Sequence, residues 1–315
     1  MATLKEQLAA GELIILDGAI GTELQRMGVP MHEKAWCAVA LRDHADTVRQ
    51  LHESYIRVGA DVITVNTFSS ARYVLEPAGM AGLTEELNTR AVEPAIEARE
   101  KAKARRPVYV AGVLSRFGLP RTFTDAWVKD AFKEQAEIQA RAGADLMLLE
   151  FLGGPLPWIV FAAEAARATG LPVWVAMSAQ EDDRDRRVLL GRRDHPSSPT
   201  PKLDPDILFV DAIDATMAVG GEALLVLHSD VRDTGPALRA ARTRWKGPLG
   251  AYSQSGDWIS PNWQFVNMIS PEGYLQQAQR WVADYRIQIV GGCCGIGVEH
   301  IQLLRPGLPR TVAVA

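Results

Sequence analysis

The regular alternation of short apolar runs with helix-length segments is the feature that most constrains the fold of this chain. Eight runs have strand character, and they end at Asp17, Asn66, Val113, Glu150, Ser178, Ser229, Ser253 and Gly292. Two of the intervening segments, residues 47–60 and 129–144, finish in Gly-Ala, where the glycine can end a helix before the next strand begins. Such alternation is typical of a parallel sheet whose crossovers are helices.

Eight strand–helix units predict an α/β fold, a closed (β/α)8 TIM barrel that forms one domain over residues 1–315. A doubly wound sheet is the alternative, but it would call for a dinucleotide or phosphate fingerprint. The turn after the first strand, "DGAIGTEL", is not G-x-G-x-x-G, and no Walker loop is present. The longest irregular stretch, residues 181–206, is expected to be a solvated loop at the barrel rim.

The composition is ordinary for a soluble globular enzyme, and the charge excludes a general attraction to polyanions. The formal net charge is −4, which gives no general attraction to nucleic acid or to anionic membranes. No apolar stretch is long enough to span a bilayer, and the N-terminus lacks a secretory signal. Three cysteines do not form a disulfide framework, so a reduced, cytoplasmic protein is expected. Neither a nucleic acid nor a membrane is expected as a partner. The sequence is compatible with a homo-oligomer but does not give the oligomeric state.

Polar side chains close several of the predicted strands, and a barrel brings the ends of its strands to one rim. These side chains are Asp17, Asn66, Glu150, His228, Cys293 and Cys294. Adjacent cysteines are poor disulfide partners for each other, and the glycines around this pair permit the strand to turn there. A catalytic zinc site needs three protein ligands and one open position. His228 is better placed as the third ligand than Cys37, which lies away from any strand end; two buried apolar thiols are the other interpretation.

Four segments resemble the homocysteine S-methyltransferase family in their order and spacing. They are "ILDGAIGTELQRMG", "GADVITVNTF", "GADLMLLEFL" and "GGCCGIGVEHI", and the resemblance runs from about residue 13 to residue 301. The family includes betaine–homocysteine methyltransferase and the zinc module of cobalamin-dependent methionine synthase. The resemblance implies a (β/α)8 barrel that binds Zn²⁺ through three thiolates, two of which match Cys293 and Cys294.

The sequence departs from the family pattern at three places. Aligned without gaps, the third thiolate of the family falls on His228. Histidine is a competent zinc ligand, so one interpretation is a retained His-Cys-Cys site that is neutral rather than −1. The alternative is that the third ligand is missing and the metal site has been lost or repurposed. The segment "AGVLSRFG" follows the third strand, where relatives commonly carry a Gly-Pro turn. The segment "YSQSG" ends the seventh strand, where Asn-Ser-Gly is more typical. The last two changes concern the identity of the substrate more than the fold.

The acceptor site is predicted from both the resemblance and the residues. Family members hold homocysteine with the residues that match Asp17, Gly18 and Glu150. Burying a carboxylate at the end of a strand costs free energy unless a cation or a hydrogen-bond donor faces it. Asp17 and Glu150 are therefore suited to bind the ammonium group of an acceptor. Asn66 and Thr67, at the end of the second strand, are expected to hydrogen-bond the acceptor or to orient a carboxylate.

A positively charged methyl donor favours aromatic faces through cation–π attraction. Trp36 matches a tryptophan that shapes the donor pocket of the betaine enzyme. Phe68 and Tyr73 follow the second strand, and Trp258 and Trp263 follow the seventh. These five rings are the candidates for the donor site.

The expected activity is zinc-dependent transfer of a methyl group from a small onium donor, an S-methylmethionine-like sulfonium or a betaine, to a thiol such as homocysteine. A free thiol titrates near ~8.5, and zinc would remove its proton at neutral pH. A chain of 315 residues leaves no room for a folate- or cobalamin-binding region, which favours a small donor. Two alternatives stay open: a metal-dependent barrel lyase or hydrolase that activates water, and a non-catalytic family member that binds a thiol or an onium compound.

Overall fold

A computed structural model of the protein describes residues 2–119, 122–192 and 206–313. Over these residues the strands are β1 (Ile14–Ile15), β2 (Val62–Thr64), β3 (Tyr109–Ser115), β4 (Leu146–Phe151), β5 (Val173–Met177), β6 (Ala179–Glu181), β7 (Val188–Leu190), β8 (Ala223–Asp230), β9 (Leu249–Gln254), β10 (Asp257–Ile259), β11 (Asn262–Gln264) and β12 (Ile289–Val290). The α-helices are α1 (Leu4–Ala9), α2 (Gly21–Arg26), α3 (Ala40–Asp43), α4 (Ala45–Val58), α5 (Arg72–Leu75), α6 (Thr84–Ala102), α7 (Asp125–Arg141), α8 (Leu156–Ala168), α9 (Phe209–Met217), α10 (Val231–Arg244), α11 (Pro271–Tyr285) and α12 (Val298–Gly307).

Eight of the strands form one parallel sheet in the order β1-β12-β9-β8-β5-β4-β3-β2. The two ends of this sheet meet, because Leu16 pairs in parallel with Val62 and the Asp17 N–H donates to the Val62 carbonyl at 3.0 Å. The eight strands of the sheet are those predicted from the sequence. The structure therefore confirms the (β/α)8 barrel, and the open, doubly wound alternative does not hold.

The side chains of each barrel strand alternate between two apolar layers, as the pleat of a strand requires. In β4, Leu146 and Leu148 belong to the layer inside the barrel, whereas Met147 and Leu149 pack against the surrounding helices. The inward series of β4 ends on the polar Glu150. The same alternation therefore fills the barrel with apolar side chains and places polar groups at the carboxyl ends of the strands.

Two antiparallel hairpins lie outside the barrel sheet, and the sequence patterns did not predict them. The β6–β7 hairpin follows β5, so the expectation of irregular structure over residues 181–206 was wrong at Glu181 and at Val188–Leu190. Residues 193–205 of that stretch lie outside the described residues. The β10–β11 hairpin follows β9 and pairs Trp258 with Trp263. Among the described helices, none combines the length and the apolar composition needed to cross a bilayer.

His52, on the buried face of α4, makes the stability of the barrel depend on pH. Its side chain is fully buried, and neither ring nitrogen has a hydrogen-bond partner among the described residues. Burial lowers the pKa of His52 to about 4. The unfolded chain takes up this proton near pH 6.5, so the free energy of unfolding should fall by about 3 kcal/mol between pH 6.5 and pH 4.

Urea denaturation at several pH values measures this dependence. His52→Leu should remove this part of the pH dependence, because leucine has no group to protonate. The matched control is His44→Leu at the half-buried start of α4, which should keep the wild-type slope. Equal slopes for the wild type and His52→Leu would contradict the prediction.

Candidate active site and metal centre

The carboxyl ends of the barrel strands surround a cavity of about 350 Å³, a size that suits small molecules. The cavity is lined by eleven of the residues predicted from the sequence: Asp17, Gly18, Trp36, Asn66, Phe68, Glu150, His228, Trp258, Trp263, Cys293 and Cys294. Thr67 lies in the barrel wall instead, where its hydroxyl donates to the Val113 carbonyl at 2.9 Å. Tyr73 is buried behind the same wall, and its hydroxyl donates to the Ser115 carbonyl.

Cys293 and Cys294 occupy a tight turn directly after β12. The Cys293 N–H donates to the Ser253 carbonyl at 2.9 Å, and the Cys294 carbonyl accepts from the Ser255 N–H at 2.9 Å. Gly295 has a φ of +78°, and a Cβ at that position would collide with the Ser255 carbonyl oxygen. Only glycine suits such a position. The turn directs both thiols to the cavity, whereas a continuing strand would send them to opposite faces.

His228 reaches the cavity through a break in the geometry of β8. Leu225 and Leu227 face the inside of the barrel, so strict alternation would point Ser229 inward next. The register between β8 and β9 shifts after Leu227, and His228 adopts a φ of +44°. Its Nδ1 lies 3.3 Å from the Cys293 Sγ. Such backbone conformations are uncommon outside glycine and concentrate at functional sites.

His228, Cys293 and Cys294 form a compact donor set, in which one donor atom of each lies within 4.8 Å of the others. In a tetrahedral zinc site with two sulfur ligands and one imidazole, the donor atoms lie roughly 3.5–4 Å apart. The number, type and spacing of these donors therefore fit zinc. The neighbouring Cys294 and burial raise the pKa of the Cys293 thiol, whereas a divalent cation on that sulfur would lower it. Cys37, the alternative third ligand, lies outside the donor set.

Two carboxyl groups lie at the floor of the cavity. Asp17 accepts hydrogen bonds from the N–H (2.7 Å) and the hydroxyl (3.1 Å) of Thr64, and Glu150 accepts one from the Tyr252 hydroxyl at 3.2 Å. Burial raises the pKa of Asp17 well above its ordinary value and raises the pKa of Glu150 to about 7. A cation in the cavity would favour the charged form of both groups. The floor can therefore receive an ammonium group.

Gly18 and Asn66 shape the cavity. A Cβ at Gly18 would lie 2.8 Å from the Tyr55 hydroxyl oxygen, so a larger residue would displace the turn after β1. The Asn66 amide donates to the Cys37 carbonyl at 3.0 Å and accepts from the Cys37 thiol at 3.0 Å. It thereby fixes the segment that carries Trp36.

Four aromatic side chains form one wall of the cavity. Trp36 is at the centre of this aromatic wall, and its ring centroid lies 6.1 Å from that of Phe68, 6.0 Å from Phe117 and 5.5 Å from Trp258. The rings of Phe68 and Phe117 are 5.3 Å apart. Trp263, on the paired strand of the hairpin, lies 5.8 Å from the His228 ring. Aromatic faces at these spacings can attract a small organic cation.

Several cavity residues were missed by sequence reasoning: Arg116, Phe117, Arg192 and Tyr252. Tyr252 lies in the seventh predicted strand, two residues after Gly250. Residues two apart on a strand share one face, so the alternation of this strand could have placed the Tyr252 side chain on the inner face of the barrel. Arg116 and Phe117 directly follow the third strand, in the segment that departs from the family pattern. The sequence carried no signal for Arg192, which follows the unpredicted hairpin.

Comparison with known proteins gives matches over nearly the whole chain. Residues 14–307 match the model of the homocysteine S-methyltransferase family. Homocysteine S-methyltransferase 2 of Zea mays is 23% identical, over 96% of this chain and 92% of that protein. Betaine–homocysteine S-methyltransferase 1 of Danio rerio is 25% identical, over 94% of this chain and 73% of that protein. The metallated form of the homocysteine methyltransferase MmuM from Escherichia coli has the same fold, with a TM-score of 0.73 at 21% identity over 95% of this chain and 97% of that chain.

The raised pKa of Glu150 predicts that this residue costs stability at alkaline pH. The folded state favours the neutral carboxyl group up to about pH 7, whereas the unfolded chain ionises near pH 4.5. Glu150→Gln should therefore raise the free energy of unfolding by about 3 kcal/mol at pH 8 and by much less at pH 4.5.

Urea denaturation at these two pH values measures the gain. Glu164→Gln, on the exposed face of α8, is the matched control and should leave both values unchanged. A Glu150→Gln protein that is no more stable than the wild type at pH 8 would be inconsistent with a desolvated carboxyl group.

Proposed function

The chain belongs to the homocysteine S-methyltransferase family and is a methyltransferase, and we propose that it moves a methyl group from a small onium donor to the thiol of homocysteine, giving methionine. The donor that we propose is an S-methylmethionine-like sulfonium or a betaine. The observation that carries the proposal is that one cavity joins the His-Cys-Cys donor set, the two carboxyl groups and the aromatic wall. Each of the three parts suits one component of this reaction.

We propose that His228, Cys293 and Cys294 hold a zinc ion. The donor set supports this, and so does the existence of a metallated form of the homologous MmuM. Bound there, zinc would supply Lewis acidity that lowers the pKa of an acceptor thiol, so that the thiol reacts as a thiolate at neutral pH. Because a histidine stands in for one thiolate, the protein ligands carry one negative charge fewer than three thiolates would.

The acceptor is oriented by the carboxyl groups on the floor of the cavity. Asp17 and Glu150 would form ion pairs with the ammonium group of homocysteine, which offsets the cost of burying their charges. The hydroxyl of Tyr252, 3.2 Å from Glu150, keeps this carboxylate in place. Because Glu150 and Cys293 line the same cavity, an acceptor held on this floor can extend its sulfur toward the donor set.

The transfer itself needs little acid–base chemistry from the protein. The acceptor sulfur uses an electron pair to form a bond to the methyl carbon, and the bond from that carbon to the onium sulfur or nitrogen breaks. Its electron pair stays on the leaving atom, which departs uncharged and needs no proton. The chain would therefore contribute alignment of the two reactants and exclusion of water.

The β10–β11 hairpin can exclude water on the donor side. Trp258 completes the aromatic wall, and Trp263 is almost fully buried beside His228. The main chain of Trp263 makes two hydrogen bonds to the Gln25 side chain on α2, at 2.7 and 2.9 Å. The hairpin is thus fastened over the cavity, where its rings can surround an onium group.

Metal content tests the proposed donor set. Purified, reduced protein should contain stoichiometric zinc, and Cys293→Ser and Cys294→Ser should lose it, because each removes a thiolate ligand. His228→Ala should bind zinc at least about tenfold more weakly in a chelator competition, whereas His228→Cys should retain it. Cys37→Ser, the control outside the donor set, should keep its zinc. Zinc retained at full affinity in His228→Ala would show that the third ligand is another residue.

Methyl transfer to homocysteine is assayed on the same variants with S-methylmethionine, betaine, S-adenosylmethionine and dimethylsulfoniopropionate. Activity should follow zinc content across the series. Turnover of a substrate without any added thiol would point to the lyase or hydrolase alternative. Binding of thiol or onium compounds without turnover of any donor would point to the non-catalytic alternative.

A further inference from the structure

Two fully buried hydroxyl groups contact the main chain on either side of the donor set. Ser229 directly follows His228, and Thr22 lies in the first turn of α2. Thr22 packs against the segment that carries both cysteines, residues 292–296, which we call the thiol turn. Neither hydroxyl residue is among the described residues that line the cavity. Their effect on the site must therefore pass through the residues that they hold.

The Ser229 hydroxyl fixes the break in β8 at His228. It accepts a hydrogen bond from the Ala179 N–H at 2.8 Å and donates one to the Leu227 carbonyl at 3.2 Å. The second bond spans His228, the residue with a φ of +44°. Without this bond, β8 would be free to return to regular alternation, which turns Ser229 inward and His228 away from the cavity. The hydroxyl thus stabilises the conformation in which the imidazole faces the thiols.

The Thr22 hydroxyl fixes the thiol turn. Other N–H groups of this turn bond to main-chain carbonyls, as the Gly292 N–H does to Asp17 at 2.9 Å. The Gly295 N–H instead donates to the Thr22 side chain at 3.0 Å. Because Gly295 is buried, loss of this acceptor would leave an unsatisfied donor directly after Cys294. The position of the thiols therefore depends on a side chain of α2.

We propose that Ser229 and Thr22 are positioning residues of the zinc site. Ser229 holds the imidazole of His228, and Thr22 holds the turn that carries both thiols. This inference rests on the proposed function and adds the residues that preorganise its metal ligands. Contacts that orient metal ligands typically contribute about 10- to 100-fold to metal affinity. Neither hydroxyl takes part in the bond changes at the methyl carbon.

The zinc affinity of the full-length, reduced protein, measured by chelator competition, tests both residues. Ser229→Ala and Thr22→Val should each bind zinc roughly tenfold more weakly than the wild type. Thr22→Ser keeps a hydroxyl at the same place and should bind zinc nearly as tightly as the wild type. Urea denaturation of the zinc-free variants establishes that each is folded, which separates a loss of affinity from a loss of the fold.

Two control variants remove an equally buried hydroxyl that lies outside the donor set. Ser178→Ala removes a fully buried group that has no hydrogen-bond partner among the described residues. Thr216→Val removes a buried hydroxyl that bonds within α9, to the Ala212 carbonyl at 2.7 Å. Both variants should keep the zinc affinity of the wild type.

A double-variant cycle shows whether Ser229 acts through His228. In a His228→Ala background the imidazole is gone, so Ser229→Ala should cause no further loss of zinc affinity. Thr22→Val acts on the thiols and should still weaken binding in the same background. A purely structural role of Ser229 would give the same loss with and without the imidazole.

Failure of the inference is distinguishable from failure of the proposed zinc site. If the wild type binds zinc and both Ser229→Ala and Thr22→Val bind it equally tightly, neither hydroxyl positions the donors. An equal loss in the two control variants, or a loss in Ser229→Ala that persists in the His228→Ala background, would also overturn the inference. A wild type without affinity for zinc would contradict the proposed donor set itself, and the inference would fail with it.

Discussion

The parallel pairing of the first strand of the barrel, β1, with the last, β12, is the constraint on which the site depends. Ile14 pairs with Ile289 and Ile15 with Val290, so the first and last strands of the chain end side by side. Where the pairing ends, the Gly292 N–H still donates to the Asp17 carbonyl at 2.9 Å. A carboxyl group from one end of the chain and two thiols from the other therefore share one cavity.

The metal-binding arrangement requires two local departures from strand geometry. A turn at Gly295 redirects both cysteines, and a register shift after Leu227 turns His228 inward. Both backbone conformations have a higher free energy than a strand that continues regularly. They therefore depend on the rigid barrel around them to be maintained. The fold and the donor set are thus coupled: the barrel holds the conformations that bring the imidazole and the thiols together.

The sequence predicts the barrel well because its signals are local and repeated. Apolar runs identify the strands, and polar residues at their ends identify the rim. The period of two also distinguishes neighbours: Val62, Thr64 and Asn66 share one face, so Asn66 lines the cavity and Thr67 does not. The same rule fails at β8, where it predicts that Ser229 and not His228 points into the cavity. The reason is the register shift after Leu227, since a bulge depends on the neighbouring strand and leaves no mark in the sequence. The position of Arg192 is equally hidden, since it follows a hairpin that the pattern does not show.

The proposed chemistry depends above all on one imidazole and two thiolates binding the same zinc ion. Zinc K-edge X-ray absorption on the reduced, purified protein tests this most directly, because sulfur and imidazole scatterers give different signatures. We expect two sulfur ligands and one imidazole from the protein, with the imidazole signal lost when His228 is replaced by cysteine. A zinc environment of oxygen and nitrogen atoms alone, or an imidazole signal that persists in His228→Cys, would contradict this arrangement.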